Sequence, residues 1–525
     1  MRGMRWLRWI SPVLVLGIAA ALRFWALGRP GVLVFDELYY VRDAISQLAH
    51  GFPTMWPDDD PSMSAGRANG FTDAPSNAVH PPLGKWLIGL GILAFGPDNG
   101  WGWRSAVALA GVATVGVVML LGWLLSRNLM VAWLAGLLLA IDGVHVVLTR
   151  VGLLDGFLTL FIALGALFVW MDIEWTSRRA EARLRPAQRR DSAGAAGPPR
   201  WTGPILLWRP WLIAAGLTFG AAAAVKWSGL YPLAFFLVFV TVRDLLVRLR
   251  RGERGALRRS MLQAGVSAVL ALPAAALAYL ASWAGWILRP GGWARTPGTP
   301  WPADLIDYHA EMLAWHSTLT APHPYQSHPL SWPLALVPTA MYEVRWTEGC
   351  VWRECVSGIS PLPNPLVTWG GAAALIVLGW LVVRQLLRAR GRGAIASGAA
   401  TTASPLPVVG AFVLTGFLSG WLPWVLTFSR SAVFQFYAVV LTPFSALALA
   451  ILLGLLCGLP LYSRSGSEFV LPIDRDPDAL LGRRIAVALF LVVAAVLALF
   501  FLPVWTGMPV AGWFWQLHLW LPGWS

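Results

Sequence analysis

Nine apolar stretches, near 7–27, 103–125, 129–148, 153–171, 262–287, 365–387, 406–427, 434–459 and 483–503, are long enough to cross a bilayer, which takes about 20 residues. Few folds accept that many. A backbone in hydrocarbon must satisfy its hydrogen bonds internally, so the pattern predicts an all-α polytopic membrane protein. The stretch 209–243 holds two shorter runs broken at Lys226-Trp227-Ser228-Gly229 and reads as a hairpin, which brings the expectation to eleven spans. Segment 83–96 is too short to cross and is punctuated by Pro81, Pro82, Gly84, Gly89 and Gly91, so it reads as an interfacial helix. Arg2, Arg5 and Arg8 precede the first run without a small-residue cleavage site, and that run reads as a retained helix.

The net charge of +14 raises the question of a polyanionic partner, and the position of the charges answers it. Arginines cluster at 178–209, 243–259, 384–392 and 464–484. All four clusters fall on one side only if 83–96 does not cross and 209–243 crosses twice. With that side cytoplasmic, 27 basic and 10 acidic residues lie inside and 13 and 16 lie outside. The charge is therefore a topology signal, and no nucleic-acid partner is expected.

The N-terminus is placed inside and the C-terminus outside, in the plasma membrane. The segments read as a first helix (1–27), a periplasmic loop with interfacial helices (28–102), helices two to seven (103–287), a large periplasmic loop (288–364), helices eight to eleven (365–503) and a periplasmic tail (504–525). Leu38, Val41, Ile45 and Leu48 recur at helical spacing, as do Leu305, Tyr308, Met312 and Trp315. The inside loop 172–209, rich in Arg, Ala and Gly, reads as a solvated, partly disordered tether. Cys350 and Cys355 are close enough for a small disulfide loop if that segment faces an oxidising compartment, and Cys457 reads as a small buried hydrophobe.

Candidate chemistry gathers on the outer side. Asp36 and Glu37 are adjacent carboxylates flanked by aromatics, a group able to accept a proton from a hydroxyl; the plain alternative is a pair of acids suiting a helix N-terminus. In His80-Pro81-Pro82-Leu83-Gly84-Lys85, the prolines place Lys85 in a first helical turn, either as a phosphate-binding corner or snorkelling to headgroups. Lys85 and Lys226 are the only lysines in the chain, against 38 arginines. Arg104, Asp142, His145, Arg150, Asp155, Lys226 and Arg430 are ionisable groups at the outer edge, and several together point to a shared polar chamber; as single residues, about half would be anchors or internal pairs. There is no P-loop, HExxH, GxSxG or Cys/His cluster. A cytosolic nucleotide is thus not the expected energy source, and an enzyme of this build would draw an activated donor from the membrane.

These motifs, in this order, resemble the bacterial, actinobacterial-type protein O-mannosyltransferases, glycosyltransferase family 39 enzymes of the GT-C class that use polyprenyl-phosphate mannose. The resemblance rests on Phe35-Asp36-Glu37, His80-Pro81-Pro82-Leu83-Gly84-Lys85, Trp103-Arg104, Leu153-Leu154-Asp155-Gly156 and Lys226-Trp227-Ser228-Gly229. It continues through His323-Pro324-Tyr325-Gln326-Ser327, Trp332-Pro333, Asn364-Pro365 and Trp421-Leu422-Pro423-Trp424 with Arg430. It implies the GT-C fold and inverting transfer of mannose to Ser or Thr hydroxyls of exported polypeptides. By carry-over, Asp36 is the base, and Glu37 orients the site or contacts the acceptor. Arg104 and Lys226, with Lys85 and Arg430, hold the lipid phosphate. His80, Asp155, Arg150, His323, Tyr325 and Gln435 are further site candidates.

The implied partners are the donor, the acceptor polypeptide, membrane lipid and the secretion translocon. Positive side chains neutralise a lone phosphate, so no obligatory metal is expected, although a carboxylate pair facing a phosphate leaves a divalent cation open. The chain departs from the family in three places: loop 288–364 is too short for the extra soluble domain of eukaryotic members, Val337-Pro338 replaces an Arg-Pro pair, and Gln435 stands nearest a customary His. Two alternatives remain at this level: a transferase moving another sugar, such as aminoarabinose, to a lipid or glycan acceptor, and a transporter. The lack of internal repeats argues against the transporter.

Overall fold

Helix ends in this chain are set by a few polar caps within long apolar runs. The computed structural model describes residues 7–57, 69–191, 203–320, 322–391, 404–427, 430–462, 466–474 and 476–524; Arg2, Arg5 and the stretch 192–202 lie outside them. After α1 (Leu7–Phe24), the first long loop carries α2 (Glu37–His50) and α3 (Leu83–Phe95). Next, α4 (Gly100–Ser126) starts where Asn99 Oδ1 accepts from the N–H groups of Trp101 and Gly102 at 3.0 and 3.3 Å. Asn128 caps α5 (Leu129–Ala140) in the same way, accepting from Met130 at 2.9 Å.

The single span expected at 129–148 is two helices. Asp142 accepts from the His145 N–H at 2.8 Å and begins a new helix, α6 (Gly143–Leu148). Hydropathy alone does not register a carboxylate cap inside an apolar run.

The tether expected over 172–209 also needs correction. Helix α7 (Asp155–Asp191) runs on through 172–191, whose Glu, Ala, Leu and Arg are strong helix formers. Asp172 and Arg209, at the two edges of the supposed tether, form a buried ion pair. The hairpin at 209–243 is present: α8 (Pro210–Val225) and α9 (Leu230–Arg250) flank Lys226, whose backbone is extended, and a single 3-10 turn. Gly216 and Gly220 of α8 meet Ala271 and Ala275 of α10 (Ala256–Ser282), and a Cβ on either glycine would run into the backbone of α10.

α11 (Ala284–Leu288) and α12 (Trp301–Thr318) follow, then α13 (Pro365–Gly391), α14 (Leu406–Val425), α15 (Thr442–Leu456), α16 (Pro477–Thr506) and α17 (Gly512–Gln516). Among the described residues, 8 helical segments are long and apolar enough to cross a membrane; parts of α1, α3, α5 and α8 form shorter apolar helices.

The chain is mostly helical, not all-α. β1 (Tyr342–Trp346) pairs antiparallel with β2 (Cys355–Ile359), and the Cys350–Cys355 disulfide closes their turn. β3 (Leu461–Tyr462) and β4 (Glu468–Phe469) form a small ribbon, and β5 (Val510–Ala511) adds to β2, tying the C-terminal segment to the second long loop. The two long loops also share a buried cluster of Phe52, Trp283, Trp286, Leu305, Tyr308 and Met312. The Tyr308 hydroxyl both accepts from and donates to the Ala78 backbone, at 3.1 Å each. Loops and helix ends thereby form one layer, and the polar residues of interest lie in it.

Candidate active site

Asp36 stands at the N-terminus of α2, preceded by Phe35 in the left-handed region at φ 46, an uncommon conformation for an aromatic residue and one that needs external support. Glu37 supplies it. Its carboxylate is fully buried and accepts from Arg104 Nε and Nη2 at 2.7 Å each, from Val34 N at 2.9 Å and from Gly152 N at 2.7 Å. Arg104 donates further to the carbonyls of Leu27, Pro30 and Val32 at 3.3, 2.9 and 2.9 Å. All five N–H groups of this guanidinium are therefore used inside the protein. Arg104 faces no open space, and Glu37 cannot reach an acceptor; together they lock the 27–37 segment that carries Asp36.

Two more expected site residues are also engaged with groups inside the protein. Arg150 caps the end of α1, donating to the carbonyls of Leu22, Arg23 and Trp25 at 2.7, 2.9 and 2.9 Å. Lys85 is buried, neither a phosphate corner nor a snorkelling lysine: it meets Asp43 at 3.2 Å and donates to the His80 carbonyl at 3.0 Å. Asp142 and His145 are likewise buried, Asp142 accepting from Thr368 at 3.1 Å and His145 meeting Arg23 at 2.6 Å. The single chamber expected from the outer-edge charges thus divides into a buried seam and a true cavity.

That cavity, of about 230 Å³, is lined by the polar residues His80, Asp155, Lys226, His316, Arg430 and Tyr437. Leu158, Ile162, Gly420, Trp424 and Val440 add apolar walls. Lys226 donates to Asp155 at 2.7 Å, and its ammonium lies 5.3 and 5.0 Å from the ring centroids of Phe436 and Tyr437. Among the described residues, the Arg430 side chain is held by neutral groups alone: the Ala432 carbonyl at 2.9 Å, His316 Nδ1 at 3.2 Å and the Tyr437 hydroxyl at 3.1 Å.

Asp36 is linked to this cavity through Tyr40, whose hydroxyl donates to it at 3.2 Å and whose ring packs at 5.9 Å on His80, a lining residue. Burial raises the Asp36 carboxyl to about 6; the Lys226 charge opposes the shift, the Asp155 charge adds to it, and the Tyr40 hydrogen bond opposes it. The His80 imidazole is held well below its usual range, first by burial and then by Lys226, His316, Lys85 and Arg430.

His323 lies beside Phe35, and Tyr325 beside His323, both outside the cavity lining. The His323 ring meets Phe35 at 6.4 Å and Phe434 at 5.0 Å, and Tyr325 N donates to its Nδ1 at 3.2 Å. Gln435 is fully buried with neither amide atom hydrogen-bonded. Sequence reasoning passed over His316 and Tyr40. His316 stands four residues after Met312, on the helical face already marked as buried, and that spacing was the available signal.

A cavity lined by apolar side chains and two cations suits an amphiphile with an anionic head. The profile described as the C-terminal four-TMM region of protein-O-mannosyltransferase matches residues 302–524, and that of dolichyl-phosphate-mannose-protein mannosyltransferase matches 81–185. A polyprenol-phosphate-mannose–protein mannosyltransferase of Mycobacterium tuberculosis is 32% identical, covering 98% of this chain and 92% of its own. The chain belongs to the protein O-mannosyltransferase family.

A protein of the same name from Corynebacterium glutamicum is 28% identical over 94% of this chain and 88% of its own. Among solved structures, the S. cerevisiae protein O-mannosyltransferase Pmt1-Pmt2 complex bound to the sugar donor aligns with a TM-score of 0.70 at 14% identity, covering 99% of this chain and 92% of that one. ArnT from Cupriavidus metallidurans bound to undecaprenyl phosphate aligns at 0.50 and 17%, over 95% and 77%. Both share the GT-C fold, and family membership sets the transporter reading aside.

Proposed function

We propose that this protein O-mannosyltransferase moves mannose from polyprenol-phosphate mannose to Ser or Thr hydroxyls of exported polypeptides, at the outer face of the plasma membrane. The observation that carries the reading is the cavity itself, which sets Lys226 and Arg430 among apolar walls, with Asp36 linked to it through Tyr40 and His80. The donor phosphate sits between Lys226 and Arg430, and the first isoprene units run along Leu158, Ile162 and Val440. The acceptor hydroxyl approaches the anomeric carbon from the side of Asp36, which takes its proton as the new C–O bond forms. The bond to the phosphate oxygen breaks, configuration inverts, and the charge left on polyprenyl phosphate falls on the two cations. Side chains supply that positive charge, so the reading assigns no obligatory metal. Arg104, Glu37, Lys85 and Arg150 position this site without touching the donor. His323, beside Phe35, and Tyr325, beside His323, flank the acceptor path.

The same reading keeps eleven spans: the 8 long segments plus α1, α5 with α6, and α8, with α3 lying at the interface. The deciding assay presents the purified chain with polyprenol-phosphate mannose and a Thr-rich peptide. Asp36→Asn should lower kcat by a factor on the order of 100 to 10,000 while leaving the melting temperature unchanged. Turnover like that of the wild type in this variant would remove Asp36 from the base role.

A further inference from the structure

Arg430 differs from Lys226, the other cation that lines the cavity. Lys85, Arg104 and Lys226 each meet a carboxylate. Arg430 meets a carbonyl, an imidazole and a phenol, with no carboxylate partner among the described residues. A guanidinium facing a cavity without a counter-charge is costly, and a long flexible side chain needs a brace to stay there. We propose that His316 is that brace: a positioning residue, kept as a neutral imidazole, that presents Arg430 to the phosphate of the donor. This inference rests on the donor reading above.

The hydrogen bonds define the tautomer. His316 Nε2 lies 2.7 Å from the Val79 carbonyl, which can only accept, so Nε2 carries the proton. Its Nδ1 is left with a lone pair, which faces Arg430 Nη1 at 3.2 Å. Protonating Nδ1 would set N–H against N–H, so the brace works only while the ring is neutral. Its surroundings keep it so: burial first, with the charges of Arg430 and Lys226 adding and the Val79 bond opposing, takes His316 down to about 4.

The ring plane is fixed as well. His80 stacks on His316 at 5.1 Å and 29°, and Trp227 packs against it at 6.0 Å. Four separate segments therefore meet at one imidazole: the turn before α3 through Val79 and His80, the α8–α9 break through Trp227, α12 through His316 itself, and the 430–437 segment through Arg430. Tyr437 completes the frame, because its hydroxyl accepts from Arg430 Nη2 while its ring faces Lys226. Of the guanidinium's five N–H groups, the three bonds above occupy three, and two remain for phosphate oxygens.

The test measures donor and peptide KM, kcat and melting temperature for the full-length wild type, H316A, H316Q, R430Q and the H316A/R430Q double variant. H316A should raise the donor KM about tenfold, the effect of losing one hydrogen bond to a charged group, and leave the peptide KM and melting temperature unchanged. H316Q should recover most of that loss, since its amide oxygen can accept from Arg430 while its NH₂ donates to Val79. In the R430Q background, H316A should add little, because its effect passes through Arg430.

Equal rises in the peptide and donor KM, or effects that multiply independently in the double variant, would overturn the inference. If H316A does not fold, the comparison of H316Q with H316F decides it: H316F should behave as H316A was expected to, and equal donor KM values for the two would overturn the inference. Equilibrium binding of polyprenyl phosphate, with no mannose, separates the two layers. Should the wild type fail to turn over the mannose donor, the donor reading fails, while weaker binding of polyprenyl phosphate by H316A would still uphold the brace and equal binding would reject it.

Discussion

A carboxyl raised to about 6 is a base only above that value, which fixes the direction of the pH profile. With Asp36 as proton acceptor, kcat/KM should be flat above about pH 6 and fall about tenfold per unit below it. Tyr40 donates to the carboxylate and so favours its charged form; Tyr40→Phe should move the acid limb to higher pH. A limb that stays put in this variant would show that the profile belongs to another group. Glu37 answers to a different measurement. Glu37→Gln leaves the Arg104 charge buried without its partner, at a cost of about 3–5 kcal/mol. The folded yield and melting temperature should drop, while any protein that folds keeps its donor KM. A selective rise in donor KM would return Arg104 to the phosphate.

These two carboxylates also show what the residue string could not say. Asp36 and Glu37 are neighbours in sequence, but a helix start sets one against Tyr40 and buries the other against Arg104. The lysine count marked Lys85 and Lys226 equally. Asp43, six residues after Glu37 and unremarked in the sequence, is what takes Lys85 out of play.

At the scale of elements, periodicity and breakers carried well where one cause acts alone. The four-residue break Lys226–Gly229 ended α8, and the 3–4 spacing of α2 and α12 marked them as helices. Legibility failed where two signals compete. Over 172–191, charge density suggested a tether while helix propensity favoured continuation, and propensity together with the Asp172–Arg209 pair won. At 129–148, continuous hydropathy hid the cap at Asp142. The packing of α8 on α10 yields its own test. Gly220→Val would drive a branched side chain into the backbone at Ala275 and separate the two helices. The variant should melt well below the wild type, whereas Gly482→Val, at a glycine of α16 with open space around it, should not. Equal melting of the two would mean that the α8–α10 approach is not limiting.

At the scale of the whole molecule, the charge of +14 is a matter of sides. The proposed map sets Arg248, Arg250 and Arg251, at the end of α9, on the cytoplasmic face, and Glu348, in the β1–β2 turn, on the outer face. The two faces meet different reagents, so the map can be read directly in cells. In a Cys457→Ser background, leaving the paired Cys350 and Cys355, a cysteine at Gly252 should react with a membrane-impermeant maleimide only after permeabilisation. One at Leu313, an exposed position on α12, should react in intact cells. The Leu313 probe lies on the cavity wall, so its labelling should slow when polyprenyl phosphate is added, and this ties the topology to the site in one experiment. Labelling at Gly252 from outside would change the parity between α1 and α9, and no assignment of α3, α5 or α8 as spanning or not could then keep the Arg-rich segments together with the cavity on the outer face.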